Sequence, residues 1–524
     1  LARVLTTRPD RWRLAADSPA PPPGPVTRIV YAITSANQAH SRYNPIPFHI
    51  RAIGADRFAR ALAERTGVGY RIFGIPHYPP TSHFAEIVLK EIVEQSEGEL
   101  NLTPETSAVV CSTPQVAALY AALGFALLPC EWGDDSGPLT PVRLVQSIAA
   151  AGPGWADDPA VTSALHPESR GLWQQFPEVP RRLLRLWQDP LLGDEGDLTG
   201  SRNYSAYAYG MGNNEIIDLK YQDVAWAIRP GRIVDEGCAD GRLLERIAAD
   251  FPDSDLIGIE ITGEFIARGL ERQRAGAFGD SFVHFHQRNI TQPLFQPDSI
   301  NTTLCNSTLH ELWSYNDGET TVRAYLAEKF RQTRPGGRLL IRDVVGPVQK
   351  ERPVFLWLND ADGSNASPYA IFDTSAELAT HLEQLSTHAR FLRFVRDFHA
   401  PIDDSTPISG PGGSGFFLPL AHAVEFMTKK DYTANWASEM HESFAFWDFG
   451  QWKAALTDAG FRVLENPTQP AHSSRIYTNP WIVEKRWQGK VALYAPVDDG
   501  REVLAWPPTT VILAGEKPKR ASLT

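Results

Sequence analysis

Small residues alternate in a turn between an apolar strand and an apolar-periodic helix, in the stretch VDEGCADGRLLER at positions 234–246. The three that alternate are Gly237, Ala239 and Gly241. Such residues let the backbone approach a ligand closely and let the helix pack tightly on the strand. Asp235 ends the strand and is suited to holding an amino group or, through water, a sulfonium. Because Asp235, Glu236 and Asp240 together would repel a pyrophosphate, the turn predicts a nucleoside with a positively charged tail.

A second acid follows the next strand along the chain. Leu256 to Ile259 form a short apolar run that ends in Glu260. An acid at the tip of the second strand can accept hydrogen bonds from both hydroxyls of a ribose. The two strands and the turn between them therefore predict a nucleoside-binding edge of a parallel sheet.

Short apolar strands alternate with helical patterns in two separate series. The first begins at Arg28 and ends near Pro190, and the second begins at Ile233. Strands that alternate with helices predict parallel α/β sheets, so we expect two Rossmann-like doubly wound domains. A stretch rich in Gly, Ser and Asn, residues 194–214, separates them and predicts a linker followed by an arm. The arm would either close over a ligand or pack against the protein, through its aromatic and glycine residues Tyr204, Tyr207, Tyr209, Gly210 and Gly212.

The second series resembles the class I S-adenosylmethionine-dependent methyltransferases. The resemblance rests on the glycine turn, a polar-apolar pair after the third strand, the Pro335-Gly336-Gly337 turn before the fifth strand, and a final helix and antiparallel strand at 452–463. It implies S-adenosylmethionine as the cofactor. The positions that inherit cofactor contacts are Asp235, Gly237, Ala239, Gly241, Glu260, Asn289, Ile290 and Asn306. Ala239 departs from the family's glycine and Asn289 from its usual aspartate, although the Asn289 carbonyl oxygen can still pair with the adenine amino group.

Two side chains just past the fourth strand are candidates for chemistry, because the resemblance places them beside the methyl group. His310 has an ordinary pKa near neutrality, which suits a base that takes a proton from the methyl acceptor. Glu311 is the second candidate. The alternative is that His310 only begins a helix or shapes the pocket.

An insertion after the fifth strand is far longer than the usual connection, and we predict that it is a substrate lid over the carboxyl ends of the strands. Gly410 to Gly415 predicts a flexible loop. Lys430, Tyr432 and Asn435 would bind an acidic group of the substrate. The alternative is a solvated amphipathic helix with local pairs such as Glu425 with Lys429.

The first series resembles the nucleotidyltransferases that use an HxGH motif, especially the nicotinamide-mononucleotide adenylyltransferase type. A strand leads to a loop with Asn44 and His49, then to a helix. Only His49 of the motif's histidine pair has a counterpart, since Arg51 and Ala52 replace its glycine and second histidine. Asn44 and His49 are the candidate nucleotide contacts, and the domain either catalyses nucleotidyl transfer, binds a nucleotide-like substrate or is purely structural.

These resemblances predict five segments along the chain. They are a flexible Pro-rich arm (1–27), a degenerate nucleotidyltransferase-like domain (28–192), a methyltransferase core (193–347), the lid insertion (348–444), and core completion with a C-terminal tail (445–524).

Composition narrows the partners. The 524 residues carry a net charge of −12, which argues against a uniformly basic nucleic-acid surface. Four cysteines lack metal-ligand spacing and read as reduced thiols of a cytoplasmic protein. No apolar run is long enough to span a bilayer, so no membrane partner is expected. A homodimer stays open.

The predicted function is methyl transfer from S-adenosylmethionine to a small or nucleotide-linked molecule. Three alternatives stay open: a bifunctional nucleotidyltransferase-methyltransferase, an RNA methyltransferase, and a non-catalytic cofactor-binding protein.

Overall fold

The computed structural model describes eleven stretches of the chain. They are residues 18–19, 25–39, 44–78, 81–111, 113–128, 141–188, 214–402, 408–410, 413–466, 468–497 and 500–519. Most of the Pro-rich arm, Cys130 and the whole aromatic arm from Tyr204 to Gly212 lie outside these stretches. The chain divides into two compact units, Leu1–Gly196 and Asp197–Thr524. No helix in the described stretches has both the length and the hydropathy that crossing a membrane demands.

The first unit alternates strands and helices and then ends in helices. Its elements are β1 (Arg28–Ile33), α1 (Phe48–Thr66), β2 (Gly69–Gly74), α2 (Phe84–Gln95), β3 (Ala108–Val110), α3 (Pro114–Ala122), β4 (Ala126–Leu128), α4 (Pro141–Ala151), α5 (Pro159–Ala164), α6 (Pro167–Gln175) and α7 (Glu178–Gln188). The predicted alternation is present, and β1 pairs with β2 and β3 with β4, each in parallel. Among the described residues these form two separate two-stranded sheets. One doubly wound sheet for this unit therefore stays a prediction.

The second unit contains most of the strands. They are β5 (Arg232–Glu236), β6 (Asp255–Glu260), β7 (Phe282–Gln287), β8 (Ile300–Asn306), β9 (Thr333–Asp343), β10 (Pro353–Leu358), β11 (Ile408–Gly410), β12 (Gly413–Pro419), β13 (Arg462–Val463), β14 (Arg475–Tyr477), β15 (Val491–Val497), β16 (Gly500–Val503) and β17 (Thr510–Glu516). Its helices are α8 (Asn214–Val224), α9 (Arg242–Asp250), α10 (Gly263–Arg274), α11 (Leu309–Tyr315), α12 (Gly318–Gln332), α13 (Ser375–Gln384), α14 (Thr387–Asp397), α15 (Leu420–Lys429), α16 (Trp436–His441), α17 (Phe449–Asp458) and α18 (Pro480–Ile482).

The main sheet has the order β13-β17-β9-β8-β5-β6-β7, and β14 also pairs with β17. The strands from β5 to β9 run parallel, as predicted, and their carboxyl ends meet at one edge. β17 is antiparallel to both β9 and β13. We predicted an antiparallel strand at 460–463, but the strand that completes the sheet beside β9 is β17, close to the carboxyl terminus. Its residues are buried over nearly their whole length because helices cover both faces of the sheet.

An accessory region, residues 353–441 and 480–506, has a hydrophobic core of its own. Its antiparallel sheet has the order β11-β12-β10-β15-β16. The sheet therefore combines three strands of the predicted insertion with two strands, β15 and β16, that come much later in the chain. Aromatic side chains such as Phe391, Phe394 and Phe426 fill the core. The prediction of a flexible loop at 410–415 is wrong for the described part, because Gly410 and Gly413 pair with each other across the β11–β12 hairpin. A Cβ on Gly415 would lie 2.5 Å from the Leu356 carbonyl oxygen, so close strand packing explains that glycine.

Candidate active site

The glycine turn after β5 has a backbone that few other residues would tolerate. Gly237 has φ +76°, and a Cβ there would lie 2.3 Å from Thr308 Oγ1. Gly241 has φ +81°, and a Cβ there would meet the ring of Phe285 at 2.5 Å. Ala239 is also left-handed, at φ 46°. The small residues therefore reflect both backbone conformation and close packing of the turn against β7 and the loop after β8.

Glu260 holds this turn in place. Its Oε2 accepts a hydrogen bond from the Ala239 N–H at 3.1 Å, and its Oε1 accepts from the N–H groups of Ile261 and Thr262 at 2.8 and 3.0 Å. Burial raises the pKa of Glu260. The predicted ribose contact would thus use the remaining lone pairs of a carboxylate that already supports the turn.

A pocket opens beside the turn at the carboxyl ends of β5 and β8. It is lined by Ile217, Lys220, Asp235, Gly237, Cys238, Ala239, Asp240, Arg242, Leu243 and Asn306. Asn306 is 6% exposed, and neither Oδ1 nor Nδ2 has a hydrogen-bond partner among the described residues. A buried amide without partners costs free energy unless a ligand or water satisfies it. The residues therefore fit a polar ligand at this place.

Two opposite charges line the same pocket. Burial raises the pKa of Asp235 to about 7, although the nearby Lys220 opposes the shift. Burial likewise lowers the pKa of Lys220 to about 8, and the charge of Asp235 partly offsets it. Sequence reasoning missed Lys220, which lies on α8, before the first strand of the motif. Together the pair can take the ammonium and carboxylate groups of an amino acid.

Asn289 and Ile290 lie just past β7, where the resemblance placed them. The Oδ1 of Asn289 accepts hydrogen bonds from the N–H and the hydroxyl of Thr291, both at 2.9 Å. The oxygen that we expected to receive the adenine amino group thus already closes a local turn. Ile290 is buried in the main hydrophobic core, in the same cluster as Leu309 and Leu312, and does not line the pocket.

His310 is held by an acid from the next strand. Its Nδ1 lies 2.7 Å from Oδ1 of Asp343, and Oδ2 of Asp343 accepts from the N–H groups of Thr308 and Leu309 at the start of α11. Burial disfavours the charged imidazole, but Asp343, Glu442 and Glu311 outweigh it and raise the pKa of His310 to about 9. His310 is therefore an imidazolium at neutral pH, which differs from the neutral base we predicted.

A segment from far along the chain covers this histidine. We call His441–Trp447 the bridging segment. Glu442 Oε2 lies 3.6 Å from His310 Nε2, and the ring of Phe444 packs edge-on against His310 with 5.0 Å between centroids. The Ser443 N–H donates to Ser314 Oγ at 2.9 Å. The segment thereby connects the accessory region to the loop and helix that follow β8 at the sheet edge.

Glu311, the second predicted catalytic residue, is half-buried on α11. Its charge acts on Lys220, Glu260 and His310, so it lies electrostatically between the pocket and the histidine. Asp343 and Glu442 were both missed by sequence reasoning. Asp343 offered a signal, an acid at the end of a parallel strand like Asp235, whereas Glu442 offered none.

The residues predicted to bind an acidic substrate group make contacts within the accessory region. Lys430 Nζ lies 2.8 Å from Oδ2 of Asp431, and burial lowers the pKa of Lys430 to about 8. Arg486 stacks over the ring of Tyr432, 4.7 Å from its centroid. Asn435 precedes α16. None of the described contacts joins these three to the pocket, and Asp431 pairs with both Lys430 and Arg390. The expected pair of Glu425 and Lys429 is present at 2.8 Å, but it is buried rather than solvated.

In the first unit, the loop after β1 is held by the residue that replaces the motif's glycine. Arg51 donates from its two terminal nitrogens to the carbonyls of Thr34 and Ser35, each at 2.7 Å. His49 is exposed in the first turn of α1, and Asn44 Nδ2 lies 3.4 Å from Gln38 Oε1. Because Arg51 is committed to backbone carbonyls, it offers little to a phosphate, and the nucleotidyltransferase resemblance stays a prediction.

The protein family described as "Methyltransferase domain" matches residues 230–394, from the start of β5 into α14. Residues 230–394 form a methyltransferase domain. With the glycine turn and the sheet order, the match identifies this part of the chain as an S-adenosylmethionine-dependent methyltransferase domain of the α/β class I fold. The bridging segment and Glu442 lie outside the matched range.

Among solved structures, the chain is similar to a SAM-dependent methyltransferase from Methanosarcina mazei, at 14% identity, with 56% of this chain and 97% of that chain covered and a TM-score of 0.29. An S-adenosylmethionine-dependent methyltransferase from Mesorhizobium loti is 13% identical, with 57% and 98% covered and a TM-score of 0.30. No curated protein matches the chain.

Proposed function

We propose that the chain transfers a methyl group from S-adenosylmethionine to a small or nucleotide-linked molecule. The cofactor supplies an activated methyl group, so the protein aligns donor and acceptor and, where needed, removes a proton. The observation that carries the proposal is the pocket beside the glycine turn. It offers Asp235 to an ammonium, Lys220 to a carboxylate, and to a polar group the Asn306 amide, which has no hydrogen-bond partner among the described residues.

The acceptor side of the proposal rests on His310 and its surroundings. His310 follows the strand end that carries Asn306, and Thr308 contacts the glycine turn. An acceptor next to His310 would therefore lie close to a donor bound at the turn. The accessory region would shape access through the bridging segment, which takes the place of the predicted contacts from Lys430, Tyr432 and Asn435.

Titration calorimetry with S-adenosylmethionine and S-adenosylhomocysteine tests the cofactor site. Glu260→Ala would be ambiguous, because Glu260 also supports the turn. Asn306→Leu is sharper, because it replaces an unpartnered amide with an apolar group of similar size. We expect it to weaken S-adenosylhomocysteine binding while raising the free energy of unfolding by about 1 kcal/mol.

Asn359→Leu is the matched control. The Asn359 amide donates to the Gly489 carbonyl and accepts from the Ala361 N–H, both at 2.8 Å, away from the pocket. This change should lower the free energy of unfolding and leave the affinity unaltered. Failure of the folded wild-type protein to bind either nucleoside would contradict the proposal.

A bifunctional enzyme remains the second candidate function, on the resemblance around His49. Pyrophosphate release from ATP or CTP would support it, and His49→Ala should then abolish that release while leaving S-adenosylhomocysteine binding intact. RNA binding with a steep salt dependence would favour the RNA methyltransferase alternative. Binding of the cofactor without transfer to any acceptor would favour a non-catalytic role.

A further inference from the structure

Acidic side chains from three different elements act on His310. Asp343 from β9, Glu442 from the bridging segment and Glu311 from α11 all act on the imidazolium. The ammonium of Lys429 is nearby but lies 2.8 Å from Oε2 of Glu425, so its charge is offset. Lys220 offsets part of the charge of Asp343 and Glu311. Three carboxylates still act on one imidazolium, and an anionic acceptor beside Glu442 would be repelled.

The two ring nitrogens of His310 have different surroundings. Nδ1 is committed to Asp343 at 2.7 Å, whereas Nε2 lies 3.6 Å from Oε2 of Glu442, which is longer than a hydrogen bond. The His310 side chain is 9% exposed and that of Glu442 is 1% exposed. Protein atoms shield both side chains from water, and Oε1 of Glu442 accepts from the Tyr315 hydroxyl at 3.3 Å. An acceptor group that reached both Nε2 and Oε2 would meet one donor and one carboxylate.

We propose that Glu442 is the proton acceptor for the methyl-transfer reaction and that the substrate presents a hydroxyl or amine, not a carboxylate, to the pair formed by Glu442 and His310. This inference rests on the proposed function. For a hydroxyl, the proton passes to the Glu442 carboxylate as the oxygen–carbon bond forms. The carbon–sulfur bond of the donor breaks, and its electron pair stays on sulfur. His310 donates a hydrogen bond to the acceptor oxygen and stabilises its developing negative charge.

This division of work follows from the charges that the structure gives the two groups. Asp343 keeps the imidazole protonated, so His310 has no free lone pair with which to take a proton. The carboxylate of Glu442 beside it has lone pairs that can accept the proton. The high pKa of His310 supports the assignment, because a neutral imidazole would have competed for the role of base.

Binding of three fluorinated probes to the full chain saturated with S-adenosylhomocysteine tests the acceptor class. The probes are 4-fluorophenol, 4-fluorobenzylamine and 4-fluorobenzoate, followed by fluorine NMR. We expect the phenol and the amine to bind, and the benzoate to bind at least about tenfold more weakly. Glu442→Gln should reduce the difference in affinity between the benzoate and the two other probes. Equal or tighter binding of the benzoate, or binding of none of the three, would overturn the assignment.

A single-turnover experiment tests the proton transfer. With enzyme in excess over S-adenosylmethionine and with 4-fluorophenol present, we expect 4-fluoroanisole to form. Glu442→Gln should slow its formation by about 10²–10⁴-fold, as for loss of a general base. Its S-adenosylhomocysteine affinity should stay within about twofold of wild type. Equal rates for both proteins, or no product from the wild type, would overturn the role of Glu442.

Glu439→Gln is the matched control. Glu439 is a buried glutamate three residues earlier, and its charge acts on Arg486 in the accessory region. We expect this variant to keep wild-type rates and probe preference, while Glu442→Asp recovers part of the rate because it retains a carboxylate. If the wild type does not bind S-adenosylhomocysteine, the proposed function fails. If the wild type binds S-adenosylhomocysteine but the probe affinities or the transfer rates differ from those expected, only the role of Glu442 is contradicted.

Discussion

Backbone conformation, at the scale of single residues, decides which positions of the glycine turn accept a side chain. Ala239 shows that a left-handed residue can carry a methyl group where space allows. Gly237 differs because Thr308 Oγ1 occupies the place of a Cβ. Two residues with positive φ in one turn therefore differ: position 239 accepts a methyl group, whereas position 237 has no room for one.

Replacing Gly237 with Ala separates these two effects. We expect Gly237→Ala to lower the free energy of unfolding by about 2–4 kcal/mol, from left-handed strain plus the clash with Thr308. It should also weaken S-adenosylhomocysteine binding. Gly276→Ala is the control, since Gly276 has φ +77° and nothing within 4 Å of the added Cβ. Equal costs in chemical denaturation would show that the clash contributes nothing.

The charges of the pocket predict how cofactor binding depends on pH. Burial raises the pKa of Asp235 to about 7 and lowers that of Lys220 to about 8. Below the first value Asp235 gains a proton and no longer attracts an ammonium, and above the second value Lys220 loses its charge. We therefore expect S-adenosylhomocysteine affinity to peak between them and to fall by up to about tenfold per pH unit on either side.

Calorimetry across that range checks both limbs of the profile. Asp235→Asn should remove the fall in affinity at low pH, and Lys220→Met should remove the fall at high pH. Each variant should also bind S-adenosylhomocysteine more weakly than the wild type at every pH. A flat profile for the wild-type protein would contradict the assignment of the two charges to the ligand.

At the scale of secondary-structure elements, helix α15 holds the bridging segment in place. Glu425 Oε1 accepts hydrogen bonds from the N–H groups of Phe444 and Ala445 at 2.8 and 2.7 Å. Lys429 donates to the Glu442 carbonyl and lies over the ring of Phe444. A buried pair on one helix thus fixes the backbone that presents Glu442 to His310.

Breaking this pair should cost far more than breaking an exposed one. We expect Lys429→Met to lower the free energy of unfolding by about 3–5 kcal/mol, because it leaves Glu425 buried without its cation. The double variant Glu425→Gln/Lys429→Met should be less destabilised. Lys453→Met is the control, since its pair with Glu465 is largely exposed and worth less than about 1 kcal/mol. Similar costs for the two single variants in urea denaturation would contradict the role of α15.

At the scale of the whole molecule, the carboxyl terminus completes the main sheet. β17 inserts between β9 and β13 and pairs with both, although it lies more than 160 residues after β9 and about 50 after β13. The accessory region likewise needs β15 and β16, which follow the methyltransferase core's last helix. Neither part of the second unit is continuous in sequence.

Truncation tests this closure. Deleting residues 510–524 removes β17, exposes the edge of β9 and uncovers core residues such as Leu513. We expect the shortened protein to lose cooperative thermal unfolding and S-adenosylhomocysteine binding. Deleting only residues 520–524 leaves β17 intact and should preserve both. A cooperative transition in the longer deletion would show that the sheet is stable without its last strand.

Local features of the second unit could be read from the sequence. The strand ends at Asp235 and Glu260, the glycine turn and the helix starting at Arg242 are set by hydrophobic pattern and backbone preference within a few residues. For the same reason the methyltransferase fold of this part could be predicted, and the family match at 230–394 confirms it.

Only the tertiary structure decided which distant side chains meet at that edge. Lys220, Asp343 and Glu442 come from separate parts of the chain, and no local pattern marks their convergence. The charge state of His310 depends on Asp343, Glu442 and Glu311, and its ordinary pKa takes none of them into account. Strand pairing across long separations is selected by burial of whole faces, which is why β17 and the accessory sheet could not be read from neighbouring residues.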